Sequence, residues 1–92
     1  MEISDILEKM KMFYLEQDKK SGPLFLLSVL TEEVGELNKA VRNKTNVDEE
    51  IADVLFITLS ISNLFNVNPE NILIEKYLEN PEKLKEKWKD LQ

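Results

Sequence analysis

The sequence predicts an all-α fold, a helical bundle of four to five helices completed by homo-oligomerisation. Three observations predict it. Apolar residues recur at three-and-four spacing along most of the chain, and no window shows the alternation of a half-buried strand. Breakers are sparse, with two glycines and three prolines in 92 residues, and no low-complexity segment or solenoid-length repeat interrupts the pattern. A chain this short buries only roughly two-thirds of the surface its unfolded form exposes, so a second subunit is a natural source of missing core.

The elements follow in order. Ile3, Ile6, Leu7, Met10, Phe13 and Tyr14 trace one face of a first helix that fades near Lys19-Lys20. Gly22-Pro23 restarts the chain with proline at a first-turn position, and Leu27, Leu30, Val34, Leu37 and Val41 form the stripe of a second helix. Arg42 and Lys44 suit its C-terminal end, where the helix dipole favours positive charge. Asn46 with Glu49 three residues later has the form of a capping box and opens a third helix reaching about Asn66. This helix is apolar nearly all round, from Val54 to Phe65, which predicts a central position covered on several sides. Asn68-Pro69 and Asn80-Pro81 are two more cap-plus-proline starts, predicting a fourth helix near 69–79 and a short polar fifth one ending at Trp88 or beyond.

Composition narrows the chemistry. The chain is expected to form one domain over residues 1–92. Eighteen acidic against twelve basic residues give a net charge of −6, the wrong sign for long nucleic acid or an anionic membrane surface. An acidic protein that handles a polyphosphate does so locally, through bound divalent cations that invert the field. There is no cysteine and no histidine, so thiolate and imidazole ligands and histidine bases are excluded. The start, Met1-Glu2-Ile3-Ser4-Asp5, lacks a signal-peptide pattern and no apolar run reaches membrane-spanning length, so a soluble cytoplasmic protein is expected.

Five acids stand out by position. At about 100° per residue, Val29, Ala40, Glu33, Leu26, Leu37 and Leu30 follow one another around a single arc of the second helix. Glu33 therefore sits inside an apolar arc, Glu36 at its margin and Glu32 further out. On the third helix Glu50 falls between Ile57 and Ile61, and Asp53 beside Leu64 and Ile57. An ionised carboxylate in a core is costly unless paired or bound to metal, and no lysine or arginine shares these faces. Glu33/Glu36 and Glu50/Asp53 are each spaced by three, so each pair projects from one face on adjacent turns. Two such helices, antiparallel through the Asn43–Val47 connection, can gather four carboxylates. Oxygen-only ligands favour hard cations, Mg²⁺ first and Mn²⁺ second. A single helical acid is most often a solvated surface residue; four in two matched pairs within apolar arcs are harder to read that way.

These residues carry a family resemblance. Glu32-Glu33-Val34-Gly35-Glu36, then thirteen residues, then Glu50-Ile51-Ala52-Asp53-Val54-Leu55 resembles the EExxE…ExxD signature of the MazG-like nucleotide pyrophosphohydrolases. Leu30-Thr31 before it, Leu37-Asn38-Lys39-Ala40 after it and Phe56-Ile57-Thr58-Leu59 are of the family's type, so the likeness covers roughly residues 10–80. The resemblance implies an all-α enzyme in which Glu33, Glu36, Glu50 and Asp53 hold Mg²⁺ and Glu32 orients the attacking water or supports the ligands. Lys76 and Asn80 are similar to a lysine and an asparagine that contact substrate phosphates in relatives. Asn80 also reads as a simple N-cap, Lys76 as an ordinary exposed lysine, and Tyr77 as packing or a nucleoside contact.

The implied reaction is hydrolysis of an NTP or dNTP to the monophosphate and pyrophosphate, with a homodimer or homotetramer as the working form and removal of unwanted nucleotides as the role. Asp18-Lys19-Lys20-Ser21-Gly22 stands where pyrimidine-selective relatives carry aromatic and histidine residues, which leaves the base open. A second enzymatic reading is phosphoribosyl-ATP pyrophosphohydrolase, ranked lower because the Tyr-His typical after its acidic pair is here Phe56-Ile57. A non-catalytic helical oligomerisation module and a solvated acidic helix pair are the readings from other classes.

Overall fold

Helix starts and stops fall where the punctuation puts them, although not always by the expected bonds. A computed structural model describes residues 1–91, and its regular elements among these are all helices: α1 (Ile3–Ser21), α2 (Pro23–Asn43), α3 (Val47–Leu64), α4 (Glu70–Leu73) and α5 (Pro81–Lys89). One π-helical turn, Ile74–Leu78, continues α4, so the predicted fourth helix over 69–79 is present with a widened second half. Gly22 is the whole link between α1 and α2: its φ of 86° is a left-handed value that suits glycine, and its N–H donates to the Asp18 carbonyl at 2.8 Å.

The capping box expected at Asn46 and Glu49 is not formed. Asn46 has φ 52°, and in this left-handed conformation its side chain makes no cap bond, whereas a capping residue needs extended backbone. Asp48 Oδ1 instead accepts from the Glu49 N–H at 2.9 Å. Asn68 behaves as a cap, its Oδ1 accepting from the Glu70 N–H at 3.0 Å, but Asn80 makes no side-chain cap bond. At the start of α1, Asp5 Oδ2 accepts from the Glu2 N–H at 3.1 Å, a local closure that the apolar pattern did not reveal.

α3 is central, as its apolar character predicted: α2 packs along one side of it and α1 along another. α2 and α3 form an antiparallel hairpin through residues 44–46. The arc of α2 that includes Glu33 is the packed one, with Leu26 and Ala40 buried and Val29, Leu30, Glu33 and Leu37 half-buried. The stripe expected to be core, Leu27–Val41, is thereby corrected. Leu27, Val34 and Val41 are exposed, because α2 is rotated to bring small Ala40 and the Leu26 side against its neighbours. On α1 the stripe is buried at Leu7 and Met10 and runs out toward Phe13, which is exposed.

The most buried residues of α3 are polar: Ser60, Ser62 and Asn63. Asn63 Nδ2 donates to the Leu7 carbonyl at 3.0 Å, fixing α1 against α3, and Ser62 Oγ donates back to the Thr58 carbonyl at 3.1 Å. Ser60 Oγ is buried without a partner. Further along the same contact Tyr14 meets Phe56 edge-on at 5.1 Å between ring centroids, which supplies part of the cover Phe56 needs. α4, the π turn and α5 pack on one another, Tyr77 against Trp88 at 6.4 Å, and among the described residues this C-terminal segment has no extensive packing against α2 or α3.

Candidate metal centre

The hairpin aligns two helices so that acids near the C-terminal half of α2 meet acids in the first turns of α3. Glu33, Glu50 and Asp53 each offer a carboxylate oxygen, and the three oxygens lie within 4.8 Å of one another. Glu33 and Glu50 are half-buried; Asp53 is exposed. The expectation that Asp53 points into the core is corrected: it occupies the rim of the trio, where solvent lowers the cost of its charge.

Glu50 is the strained member. Its Oε2 is buried without a hydrogen-bond partner. Burial pushes its carboxyl above the ordinary glutamate range, and the neighbouring charges of Asp53, Glu33, Glu36 and Glu49 push it the same way. No lysine or arginine among the described residues pairs with it; the ion pairs present are Lys11–Glu8, Lys19–Glu16 and Lys85–Glu82. Three converging carboxylates, one of which carries an enclosed and unpartnered oxygen, are a donor set that fits a hard divalent cation.

Glu36 and Glu32 take different places. Glu36 is exposed and outside the trio, yet close enough to act on Glu50, and the two line one small cleft with Lys39, Ala40 and Asn46. Glu32 is exposed and lies outside the trio. Gly35, between them, has open space where a Cβ would stand, so nothing within the chain requires glycine there.

A model of the MazG nucleotide pyrophosphohydrolase domain matches residues 21–91, which takes in both acid-bearing helices and everything after them. The chain belongs to the MazG nucleotide pyrophosphohydrolase family. No curated protein and no solved structure gives a significant match. The MazG span begins at the α1–α2 link, so the metal helices lie wholly inside it and α1 lies almost wholly outside, whereas the motif likeness had suggested a start near residue 10.

Lys76 and Asn80 are not brought to the trio within one chain. They line a groove of the C-terminal segment with Glu75, Lys83, Leu84 and Lys87. Lys76 Nζ lies 5.4 Å from the centre of the Tyr77 ring, and Tyr77 is half-buried against Trp88. Lys83 and Lys87 were missed in the sequence; their four-residue spacing on one helix face was the signal that could have found them.

Proposed function

We propose that the chain is a metal-dependent nucleoside triphosphate pyrophosphohydrolase that cleaves an NTP or dNTP to the monophosphate and pyrophosphate. The observation that carries the reading is the convergence of Glu33, Glu50 and Asp53, one carboxylate oxygen of each within 4.8 Å of the others, with an enclosed and unpartnered oxygen on Glu50, in a chain of the MazG family. In this reading the three carboxylates hold Mg²⁺, with Mn²⁺ as a substitute, and Glu36 supplies a fourth oxygen by a change of side-chain rotamer. The ion would neutralise the triphosphate, acidify a water and stabilise the departing oxygens. Glu32, exposed and next to Glu33 in the chain, orients the attacking water as base or supports the ligands. Lys76 and Asn80 steady the polyphosphate, and their place in a groove with Lys83 and Lys87 supports an anionic ligand there. They reach a nucleotide at the trio by movement of the C-terminal segment or from a second copy.

The same reading treats residues 1–92 as one domain, soluble and cytoplasmic, working as a homodimer or homotetramer on unwanted nucleotides. Among the described residues no helix is long and apolar enough to cross a membrane. The test is a screen of wild-type chain against all NTPs and dNTPs and phosphoribosyl-ATP with Mg²⁺ or Mn²⁺, phosphate and pyrophosphate being measured separately. The expected result is pyrophosphate release from at least one nucleoside triphosphate, abolished in a folded Glu33→Gln variant. Inertness toward the whole panel would sink the proposal in favour of a non-catalytic module, and turnover confined to phosphoribosyl-ATP in favour of the second enzymatic reading.

A further inference from the structure

We infer that Lys83 and Lys87 join Lys76 in a site for condensed phosphate, a linear chain of linked phosphates, which the protein holds without any metal ion. The inference rests on the phosphate-contacting role proposed above for Lys76 and Asn80. It adds two residues to that role and a ligand class that binds apart from catalysis.

The groove lies between the π turn and the first turns of α5. Its volume is about 370 Å³, within the span of roughly 300–1,000 Å³ usual for small-molecule sites, and its lining is Glu75, Lys76, Asn80, Lys83, Leu84 and Lys87. Three ammonium groups against one carboxylate make it positive, in a chain whose net charge is −6. Overall composition does not account for a basic groove.

The sequence of α5 sorts its charges by face. At about 100° per residue, Lys83, Lys87 and Leu84 share one arc of the helix, whereas Glu82, Lys85, Glu86 and Lys89 occupy the rest of the turn. On that second face Lys85 pairs with Glu82 at 3.5 Å. Glu86 and Asp90 stand three residues after Lys83 and Lys87, a spacing that permits ion pairs. Yet Lys76, Lys83 and Lys87 have no carboxylate partner among the described residues. Two lysines four residues apart on one helix repel each other, and nearby acids that could relieve the repulsion do not. The unmatched charge is left for an anion from outside the chain.

The lining sets what that anion is. A lysine ammonium is a compact point charge with three donors, which suits phosphate oxygens in any orientation. Side chains four apart on a helix leave it about 5–6 Å from one another, so Lys83 and Lys87 face an anion longer than a single phosphate. Lys76 Nζ, 5.4 Å from the centre of the Tyr77 ring, is restrained on the opposite wall. Asn80 makes no side-chain cap bond, so its amide is free to donate into the groove. Among the described residues no aromatic ring lines it, so it offers a nucleobase nothing to stack on. The ligand is the phosphate chain.

The test is calorimetric titration of the full chain, in chelator and at low ionic strength, with tripolyphosphate and with orthophosphate. Wild type is compared with Lys83→Gln/Lys87→Gln and with Lys85→Gln/Lys89→Gln, which removes the same charge from the other face of α5; circular dichroism checks that each stays helical. Wild type is expected to bind tripolyphosphate about tenfold or more tighter than orthophosphate, the first variant to lose about tenfold or more, and the second to lose less than about threefold. No tripolyphosphate binding by wild type, or equal losses in the two variants, overturns the site. Where a variant loses helicity, acetylation of wild-type lysines answers instead: tripolyphosphate slows modification of Lys83 and Lys87 more than of Lys85 and Lys89, and uniform protection overturns the site. With Mg²⁺ and a hydrolysed nucleotide, a raised KM in the first variant assigns the site to the substrate's triphosphate arm, and an unchanged KM assigns it to free condensed phosphate. A chain inert toward every nucleotide that still binds tripolyphosphate through Lys83 and Lys87 sinks the enzymatic reading and leaves the groove standing.

Discussion

Adding Mg²⁺ to the metal-free chain, then removing it with chelator, bears most directly on the carboxylate trio. One of the three oxygens belongs to α2 and two to α3, all within 4.8 Å, so an ion held there ties the hairpin together and is released when it opens. A ligand that binds only the native state stabilises it by about 2.7 kcal/mol at a hundredfold excess over its Kd. For a domain of this size each kcal/mol moves the melting temperature by about 4–8 °C, which sets the expected rise at roughly 10–20 °C. Glu33→Gln replaces the one carboxylate that α2 gives the trio with a neutral amide, a much weaker ligand for a hard cation. If affinity drops a hundredfold, the same Mg²⁺ concentration contributes about 0.4 kcal/mol and a rise of roughly 2–3 °C. In chelator the difference vanishes or reverses, because the variant has lost one of three like charges. Thermal melts by circular dichroism, in chelator and over graded Mg²⁺, read both effects. A wild type that melts within about 1 °C of its chelated value at that excess, or a Glu33→Gln variant that responds as strongly, would refute the reasoning.

Three further outcomes follow from particular side chains. Burial and the neighbouring carboxylates raise the Glu50 carboxyl above the ordinary glutamate range in the folded chain, so between the unfolded and folded values the native state holds a proton that the unfolded state releases. Metal-free stability is therefore highest, on this group's account, below the unfolded value and declines as pH rises through the folded one. Melts in chelator across that window show a steeper decline for wild type than for Glu50→Gln, and equal slopes would contradict the assignment; Mg²⁺ affinity rises with pH over the same window, because the ligand must be ionised. In the α1–α3 contact, Asn63→Ala is expected to cost about 1–3 kcal/mol in urea denaturation by removing the buried donor to the Leu7 carbonyl. Ser60→Ala, which deletes a buried hydroxyl without a partner, leaves stability unchanged or higher; a loss above about 1 kcal/mol would show that the hydroxyl is bonded after all.

The legible parts of the fold were the local ones. Apolar spacing and the Gly-Pro and Asn-Pro breaks act within a few residues, and they located all five helices. The rotation of α2 was not legible in the same way, because two overlapping stripes share that helix and only the packed partners decide between them: Ala40 lets α2 come close, and Leu27, Val34 and Val41 turn outward. Asn46 was misread for a related reason. Its residue type favours a cap, but a connection of three residues between antiparallel helices needs left-handed backbone at Lys44 and Asn46, and that geometry overrides the cap. The π turn at 74–78 has no sequence signal that we can name.

The acids were legible because a three-residue spacing puts pairs on one face regardless of what the rest of the chain does. How many converge depended on the hairpin turn and on rotation, and so Glu33, Glu50 and Asp53 meet while Glu36 stands apart. The consequence is a division of labour within one supersecondary unit. The line along which α2 and α3 face each other holds the carboxylates, and α1 packs against α3 beside it. A metal site made from residues 33–53 needs only the closure of a short loop, a small entropic cost. On the proposed homo-oligomeric reading the carboxylates are local to one chain's hairpin while stability is shared between chains, which predicts that dilution lowers the melting temperature of the wild type while leaving its Mg²⁺-dependent rise in place. A melting temperature independent of chain concentration would break that link.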